Sequence, residues 1–476
     1  MVAWAVRTCE SRARGGIRAA RPARSRKARL LAAALLLGGV AVAGCTSGSH
    51  PEAHAAVTPT GAAATPVNVA GSCLSAPVSC YAPRLFQVAY GILPLLDQGI
   101  VGRGETVTVL LPGSPPGVAP ADNTAPNGDR VQGGPAGTTD IRADLAAFDA
   151  EFRLAAPRIQ LVTTLSGPAR QWQGTDQEVQ DLEIVHAVAP GAALRVVLMP
   201  ASAQASAATA TAGLLAGLPL ALSGTDVALI DWSLGEHLFT RAQVTRLHSL
   251  LAGAQARHVT VIASSGDNGG FSETPFGGTA VAEASLPAAD PLVLAVGGTT
   301  LTASPTTGAY TSETTWNGQA GFSISQGASG GGFSHRFTRP AYQDGVPRTS
   351  AMRGVPDVAG DAGQSGGLPI LNTIGGRGGA VNPASGTGAA ASLWAGVVAL
   401  ADQDARHDLG FVNPAIYRIA RGSRYHQAFH DVTTGSSVQT LPYPGGTAGY
   451  AAGPGWDPAT GWGSPSAQVL VPLLAA

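Results

Sequence analysis

The stretch from Ser385 to Gly396 reads Ser-Gly-Thr-Gly-Ala-Ala-Ala-Ser-Leu-Trp-Ala-Gly, and the interpretation of the whole chain starts from it. A glycine-rich turn leads into an alanine-rich segment that continues through Leu400, which predicts a helix beginning at the turn. A sharp turn at a helix start exposes one side chain beside free backbone N–H groups and so suits a nucleophile. The residue at that position is Gly388, which has no side chain and cannot attack a substrate.

The length and composition are those of a large globular protein. The chain has 476 residues, of which 45% are hydrophobic and only 12% are charged, so it can bury a sizeable core. Continuous apolar runs between turn residues predict buried strands at 106–111, 194–199, 227–231, 259–264 and 292–296. Helical patterns predict helices at 141–153, 176–189 and 240–256. Because strands and helices alternate, we expect an α/β fold with a parallel β-sheet and helices on both faces.

The charge is distributed unevenly along the chain. The first 29 residues hold nine basic residues and one acidic residue, which leaves 20 basic and 29 acidic residues in the rest. The remainder is therefore acidic and shows no basic cluster of the kind that binds nucleic acid. We expect no nucleic-acid partner.

Residues 1–45 are predicted to be a signal peptide of the lipoprotein type. A basic region ends at Arg29, and the apolar run at 30–42 is short for a membrane span. The sequence Val42-Ala43-Gly44-Cys45 is similar to a bacterial lipobox, in which the cysteine becomes the lipidated N-terminus. An ordinary secretory signal with a chance cysteine is the alternative. We therefore expect a cell-membrane lipoprotein that faces outside or, failing that, a secreted protein.

A linker and a cysteine pair follow the signal. Residues 46–72 are rich in Ala, Thr, Pro, Gly and Ser and are predicted to be a flexible stalk. An exported chain permits a disulfide between Cys73 and Cys80, whose spacing does not indicate a metal site.

The stretch around Gly388 resembles the nucleophile segment of the sedolisins, the serine-carboxyl (S53-type) peptidases. Their signature reads Gly-Gly-Thr-Ser-Ala-Ser-Ala-Pro, then an apolar residue and Trp-Ala-Gly. The matching positions here are Thr387, Ala389, Ala391, Trp394, Ala395 and Gly396. Gly388 stands where the family has its nucleophilic serine. The resemblance covers residues 73–476 and implies one domain with a subtilisin-like fold. Because residues that resemble the start of the family's catalytic domain follow directly after Cys80, we expect no folded prosegment before that domain.

The predicted helix 176–189 resembles the acid pair of the family, a Glu followed four residues later by an Asp. In the family the Glu is the general base on the serine, and the Asp orients it. Asp181 matches the Asp, whereas Gln177 replaces the Glu, and a carboxamide cannot take up the proton. Helical spacing puts Gln177 and Asp181 on one face with Ile184, which we expect to face the core. Glu178 points elsewhere and is expected to be a solvated acid of the first turn.

Other segments resemble the oxyanion residue and the cleft walls of the family. Asp267 follows a predicted strand and matches the Asp that helps to hold the oxyanion; a simple turn residue is the alternative. The family binds substrate along a Ser-Trp-Gly segment and a Ser-Gly-Gly-Gly-Phe-Ser segment. The residues at the corresponding positions are Ser233, Leu234, Gly235, Gly330, Gly331 and Gly332.

The C-terminal part resembles the single calcium site of the family. The resemblance implies one Ca²⁺ ion held by two carboxylates and three backbone carbonyls, which are hard oxygen ligands of the kind that calcium prefers. The residues concerned are Asp431, Val432, Gly453, Gly455 and Asp457. A Gly-Pro turn flanked by two unrelated acids is the alternative.

Together these features favour a pseudopeptidase that binds a peptide or protein ligand, as a monomer anchored to the membrane by lipid. The nucleophile and base positions have both lost their chemistry, and removing the nucleophile alone costs subtilisin about a million-fold in kcat. An active serine-carboxyl endopeptidase, working at acidic pH with Ser385 or Ser392 as nucleophile and Glu178 as base, is a second hypothesis. A structural surface lipoprotein stabilised by calcium is the third.

Overall fold

The described part of the chain leaves out the predicted signal and linker. A computed structural model describes residues 80–112, 139–163, 173–174, 176–199, 206–274, 280–318, 327–372, 380–441 and 446–476. The predictions for residues 1–45 and 46–72 and for Cys73 lie outside these ranges, and Cys80 is disulfide-bonded. Within the described ranges, no helix combines the length and the apolar character that a membrane span requires.

The α-helices of the described ranges include the four that were predicted. They are α1 (Pro83–Ala89), α2 (Leu93–Asp97), α3 (Ile141–Phe152), α4 (Asp176–Val188), α5 (Ala207–Ala221), α6 (Arg241–Gln255), α7 (Gly386–Ala405), α8 (Asn413–Ala420), α9 (Tyr425–Ala428) and α10 (Ala467–Leu474). Among the described residues, 3₁₀ turns occupy Glu236–Leu238 and Ala341–Gln343.

The strands include each of the five that were predicted. They are β1 (Thr106–Pro112), β2 (Thr139–Asp140), β3 (Ile159–Thr163), β4 (Gln173–Gly174), β5 (Ala193–Met199), β6 (Val227–Ile230), β7 (Leu234–Gly235), β8 (Thr260–Ser264), β9 (Ser285–Leu286), β10 (Leu294–Ala303), β11 (Tyr310–Thr315), β12 (Gly332–Thr338), β13 (Met352–Val355), β14 (Val358–Asp361), β15 (Pro369–Asn372), β16 (Ala380–Pro383), β17 (Phe429–His430), β18 (Gln439–Leu441), β19 (Gly446–Ala448) and β20 (Ser464–Pro465).

Eight of these strands form the central sheet, in the order β11-β10-β8-β6-β1-β5-β3, with β14 pairing β10 off this path. The pairs from β10 through β8, β6, β1 and β5 to β3 are all parallel, whereas β11 joins β10 antiparallel at the edge. β10 extends to Ala303, beyond the predicted 292–296, because it also pairs with β11 and β14. The predicted parallel α/β sheet is confirmed.

The two faces of the sheet carry separate hydrophobic cores. In β1, Val107, Val109 and Leu111 face the core that contains α4 and α7, and Leu110 faces the core that contains α5 and α6. This alternation follows from the two-residue period of a strand. The helices thus cover both faces, as predicted.

Helix α7 lies within the larger core and begins at the glycine-rich turn. All its residues from Gly386 to Asp402 are buried. Small residues allow α4 to approach it closely: a Cβ added at Gly396 would lie 2.4 Å from Val188 Cγ1. This packing places the start of α7 directly beside α4 and the carboxyl ends of β6 and β8.

Candidate active site

A cavity of ≈ 190 Å³ lies at the carboxyl ends of β6 and β8, beside the first turn of α7. This edge of an open parallel sheet is where α/β proteins usually bind ligands. The residues that line the cavity are Gln177, Asp231, Trp232, Ser233, Ser264, Gly266, Asp267, Glu273 and Thr387. Most of them come from two short segments, each of which follows a core strand.

The space beside Gly388 is filled by a carboxylate that the sequence analysis did not single out. A Cβ added at Gly388 would lie 2.1 Å from Asp231 Oδ2 and 2.5 Å from its Cγ. Asp231 directly follows β6 and is only 4% exposed. The side chain of Asp231 therefore occupies the place that a residue larger than glycine would need.

Gln177 binds this carboxylate. Its Nε2 donates a hydrogen bond of 2.6 Å to Asp231 Oδ2. The prediction that Gln177 faces the core was wrong, since its side chain is exposed while Asp181 and Ile184 are buried. The reason is that Gln177 lies in the first turn of α4, at the mouth of the cavity, and Asp181 lies one turn deeper.

Asp181 connects α4 to α7 below the cavity. Ser392 Oγ donates a hydrogen bond of 2.9 Å to Asp181 Oδ1, and Ser392 Oγ also lies 2.9 Å from the carbonyl of Gly388. A hydrogen bond between the Asp181 and Asp231 side chains lowers the pKa of Asp231. Ser392 is thus a fully buried partner of Asp181 and is not among the cavity residues.

Neither of the two serines named by the serine-peptidase hypothesis, Ser385 or Ser392, lines the cavity. Ser385 precedes α7, its backbone N–H donates to Gln180 Oε1, and its side chain does not line the cavity. The side chain of Glu178 lies outside the described part of the structure. The described geometry therefore offers no serine at the position of Gly388.

Asp267 lies against the N-terminus of α7. Its Oδ1 accepts hydrogen bonds of 2.8 Å from both the backbone N–H and the hydroxyl of Thr387. The positive end of the helix dipole stabilises a negative charge at this place. The sequence had predicted an oxyanion residue, and Asp267 does face the same cavity as Asp231 and Gln177.

Three acidic side chains share the cavity, and burial raises the pKa of each. Burial raises the pKa of Asp231 to about 6, against the lowering effect of its hydrogen bond from Gln177, and the charge of Asp267 raises it further. Burial also raises the pKa of Asp267 and of Glu273, whose Oε1 accepts the Asp267 backbone N–H at 2.6 Å. Below about pH 6 the cavity consequently holds protonated carboxyl groups that can donate hydrogen bonds.

The predicted cleft walls are placed unequally. Ser233 lines the cavity together with Trp232, and neither Ser233 Oγ nor Trp232 Nε1 has a hydrogen-bond partner among the described residues. Leu234, by contrast, is 2% exposed and packs in the core beside α5 and α6, so its side chain is not a wall of the cavity. Gly235 follows it in β7, which pairs with β9.

The triple-glycine segment supports the cavity from behind. Gly330 donates its backbone N–H to Gly266 O, and Gly331 donates its own to Gly269 O. A Cβ at Gly330 would lie 2.4 Å from Gly266 O, so glycine is needed for this close approach. Gly332 continues into β12, and none of the three glycines lines the cavity itself.

The predicted calcium ligands come together near the C-terminus and are not among the residues that line the cavity. The Gly455 N–H lies 3.1 Å from both carboxylate oxygens of Asp431, and the Gly453 N–H donates to Asp457 Oδ2 at 3.0 Å. Among the described residues, no donor binds the carbonyl oxygens of Val432, Gly453 or Gly455. Two carboxylates and three such carbonyls fit a hard cation such as Ca²⁺.

Asp231 and Glu273 are acidic residues of the cavity that sequence reasoning missed. Asp231 had been read only as the last residue of the predicted strand 227–231. A charged residue at the carboxyl end of an apolar strand was the available signal, because that edge of a parallel sheet usually forms the site. Glu273 lies in a loop and carried no comparable signal.

The curated relatives of this chain include two bacterial proteins that are more than 30% identical to it. Kumamolisin from Bacillus sp. (strain MN-32) is 32% identical over 346 residues, which cover 69% of this chain and 57% of that protein. Sedolisin from Pseudomonas sp. (strain 101) is 31% identical over 340 residues, which cover 69% of this chain and 54% of that protein. The chain thus spans about half the length of the curated relatives it matches.

No protein-family model matches the chain. A solved structure supports the same family as these relatives. Pseudomonas sedolisin, a serine-carboxyl proteinase complexed with two molecules of pseudo-iodotyrostatin, aligns with a TM-score of 0.64 and 25% identity. The alignment covers 83% of this chain and 98% of that one. The chain belongs to the sedolisin family and has its subtilisin-like α/β fold.

Proposed function

We propose that this protein is an exported, lipid-anchored pseudopeptidase of the sedolisin family, which binds peptides in the cavity beside Gly388 without cleaving them. The observation that carries the proposal is the packing of the Asp231 carboxylate into the place of a nucleophile side chain at Gly388, 2.1 Å from where its Cβ would lie. The Gln177 carboxamide binds that carboxylate and has no capacity to act as a base.

Peptide binding is supported by the polar groups that the cavity presents. Ser233 Oγ and Trp232 Nε1 are buried and have no partner among the described residues, which is costly unless a ligand or water satisfies them. A peptide backbone offers both carbonyl and N–H groups for such contacts. The aromatic ring of Trp232 also supplies apolar surface beside its polar atom.

Rebuilding the enzyme tests the loss of chemistry. A serine at position 388 needs a base, which Gln177→Glu would supply, and it also needs space, which Asp231→Ala would supply. We expect the triple variant Gly388→Ser, Gln177→Glu, Asp231→Ala to be labelled at its new serine by an active-site-directed peptide aldehyde. The double variant that keeps Asp231 should stay unlabelled.

Controls separate binding from catalysis. The unmodified chain should bind members of a fluorescent peptide library without shortening them, and Ser233→Ala should weaken that binding. Rapid cleavage by the unmodified chain, with the probe attached to a serine elsewhere, would contradict the pseudopeptidase proposal.

A second candidate function follows from the pKa of Asp231. A buried carboxyl with a pKa of about 6 is suited to take a proton from water at mildly acidic pH. The water oxygen would then bond to the peptide carbonyl carbon, and a neighbouring protonated carboxyl such as Asp267 would give its proton to the departing amine as the C–N bond breaks. Paired carboxyl groups perform this chemistry in aspartic proteases.

A single substitution distinguishes the two candidates. If Asp231 activates water, the unmodified chain hydrolyses peptides near pH 6, the rate falls at lower pH as Asp231 becomes protonated, and Asp231→Asn abolishes the hydrolysis. If the chain is a pseudopeptidase, neither protein produces fragments, and both bind peptide.

Membrane anchoring is proposed from the lipobox-like sequence that ends at Cys45, and no nucleic-acid partner is proposed. A structural role for Ca²⁺ at Asp431 and Asp457 is proposed from the donor set described above. The ion would supply positive charge that offsets the two carboxylates. It would also hold the glycine turn against the segment that contains Val432.

A further inference from the structure

We propose that Glu105, Asp226 and Asp408 bind a second divalent cation, of the hard, oxygen-binding type represented by Ca²⁺, at the opposite edge of the sheet from the cavity. One ligand oxygen from each side chain lies within 4.8 Å of the other two. Because Ca²⁺ binds oxygen at about 2.3–2.6 Å, one ion can contact three oxygens so arranged. This site is distinct from the one at Asp431 and Asp457 and goes beyond the proposed function.

The fold brings the three residues together from separate segments. Glu105 directly precedes β1, and Asp226 directly precedes β6. These strands are parallel neighbours, with Val107 opposite Val227, so their amino ends meet at one edge. The Thr106 N–H donates a hydrogen bond of 2.7 Å to Asp226 Oδ2 and holds that carboxylate at the edge. Asp408 lies in the loop that follows α7.

A fourth carboxylate provides an independent reason for a cation. Asp402 is completely buried; its Oδ1 accepts the Leu409 N–H at 2.8 Å, while its Oδ2 is buried with no hydrogen-bond partner among the described residues. Burial raises the pKa of Asp402, and the charges of Glu105, Asp408 and Asp226 raise it further, so the group lies within their field. A buried carboxylate oxygen without a hydrogen-bond partner, within the field of three other acids, is unfavourable unless a positive charge is present.

The structure shows no ion-pair partner for the four acids: none of the ion pairs among the described residues includes any of them. Asp402 also lies in the last turn of α7, which has no basic residue and where the helix dipole is negative. A divalent cation would offset this concentration of negative charge and link α7 to the amino ends of β1 and β6.

The test is a calorimetric titration of the chelator-treated full chain with CaCl₂, MgCl₂ and MnCl₂ in parallel. We expect the double variant Glu105→Gln/Asp408→Asn to bind one ion fewer than the unmodified chain. Both side chains are partly exposed, so the substitutions leave no newly buried donor, and Asp226 keeps its bond to Thr106. Asp97→Asn, which changes an exposed acid elsewhere, should bind the same number of ions as the unmodified chain.

A second variant separates the two cation sites. Asp431→Asn should remove a different ion and leave the ion at Glu105 and Asp408 in place, so combining all three substitutions should remove both. If the double variant binds as many ions as the unmodified chain, and its melting temperature responds equally to added cation, the proposed site does not exist. Preference among the three cations identifies the ion that the site selects.

Discussion

Because Asp231 lies against position 388, replacing Gly388 by alanine should change the stability of the fold in opposite directions with and without Asp231. In the unmodified chain, Gly388→Ala should destabilise the fold, because the new methyl group would lie 2.1 Å from Asp231 Oδ2. In an Asp231→Ala background the same substitution should stabilise the fold, because the obstacle is gone and alanine is the better helix former.

The expected magnitudes follow from the overlap. Ordinary Cβ contacts begin near 3.4 Å, so the overlap exceeds 1 Å and Asp231 must move. Asp231 is held by Gln177 and Ser264 in a buried position, and forcing atoms into such a site costs about 1–3 kcal/mol. Replacing glycine by alanine within a helix contributes about 0.5–1 kcal/mol in the other direction. We expect a net loss of about 1–2 kcal/mol with Asp231 present and a gain of about 0.5–1 kcal/mol without it.

The assay is a double-mutant cycle measured by urea unfolding of the four proteins at one pH. Gly253→Ala is the matched control, because Gly253 is also within a helix and its added Cβ would touch only the end of the Arg257 side chain at 3.4 Å. The control should stabilise both backgrounds alike. Coupling of about 1–3 kcal/mol between positions 231 and 388, and none between 231 and 253, is the expected result. Additive effects at 231 and 388 would show that Asp231 does not occupy the nucleophile's place.

The remaining predictions concern pH, calcium and location. Since the folded pKa of Asp231, about 6, exceeds its ordinary value of 3.8, its contribution to stability is complete below pH 3.8 and is lost as the pH rises through 6. Between pH 3.5 and pH 7, we expect the free energy of unfolding of the unmodified chain, measured in urea, to fall by about 3 kcal/mol relative to that of Asp231→Asn. If the difference between the two free energies stays constant over this range, the pKa of Asp231 is not raised. Removing Ca²⁺ with a chelator should lower the melting temperature, and Asp457→Ala should lower it too and reduce the chelator's effect; identical melting curves would contradict the calcium proposal. Cys45→Ala should release the protein from the detergent phase. Failure of radiolabelled lipid to become attached to the unmodified chain would contradict the lipid anchor.

Local sequence was sufficient for the elements of the fold. The apolar runs predicted β1, β5, β6, β8 and β10, and the glycine-to-alanine transition near Gly386 predicted the start of α7. These elements depend on periodicity and turn residues within one short stretch, and alternation then favours a parallel sheet. The resemblance around Gly388 also predicted the family that the comparisons confirm.

The site was only partly predictable for a physical reason. The sequence predicted that Gly388, Gln177 and Asp267 are near one another, and they do adjoin one cavity or its edge. It did not predict that Gln177 is exposed. Helical spacing indicates which residues of α4 lie on one face, but it does not indicate how much of that face α7 covers. It also predicted that Leu234 forms a wall of the cleft, whereas Trp232 lines the cavity and Leu234 packs in the core. The direction of a side chain after a strand depends on the core residues around it, which the local sequence does not specify.

The sequence by itself determined the elements and the family, and it puts Gly388 and Gln177 in the segments that resemble the family's reactive ones. Only the tertiary structure decided which side chains lie beside them. Asp231 and Gly388 belong to segments far apart in the chain, and they touch because β6 ends where α7 begins. The four acids around Asp402 likewise come from separate segments. Contacts between distant segments depend on how the helices and strands pack. No local sequence pattern indicates which distant side chain occupies the space beside a glycine.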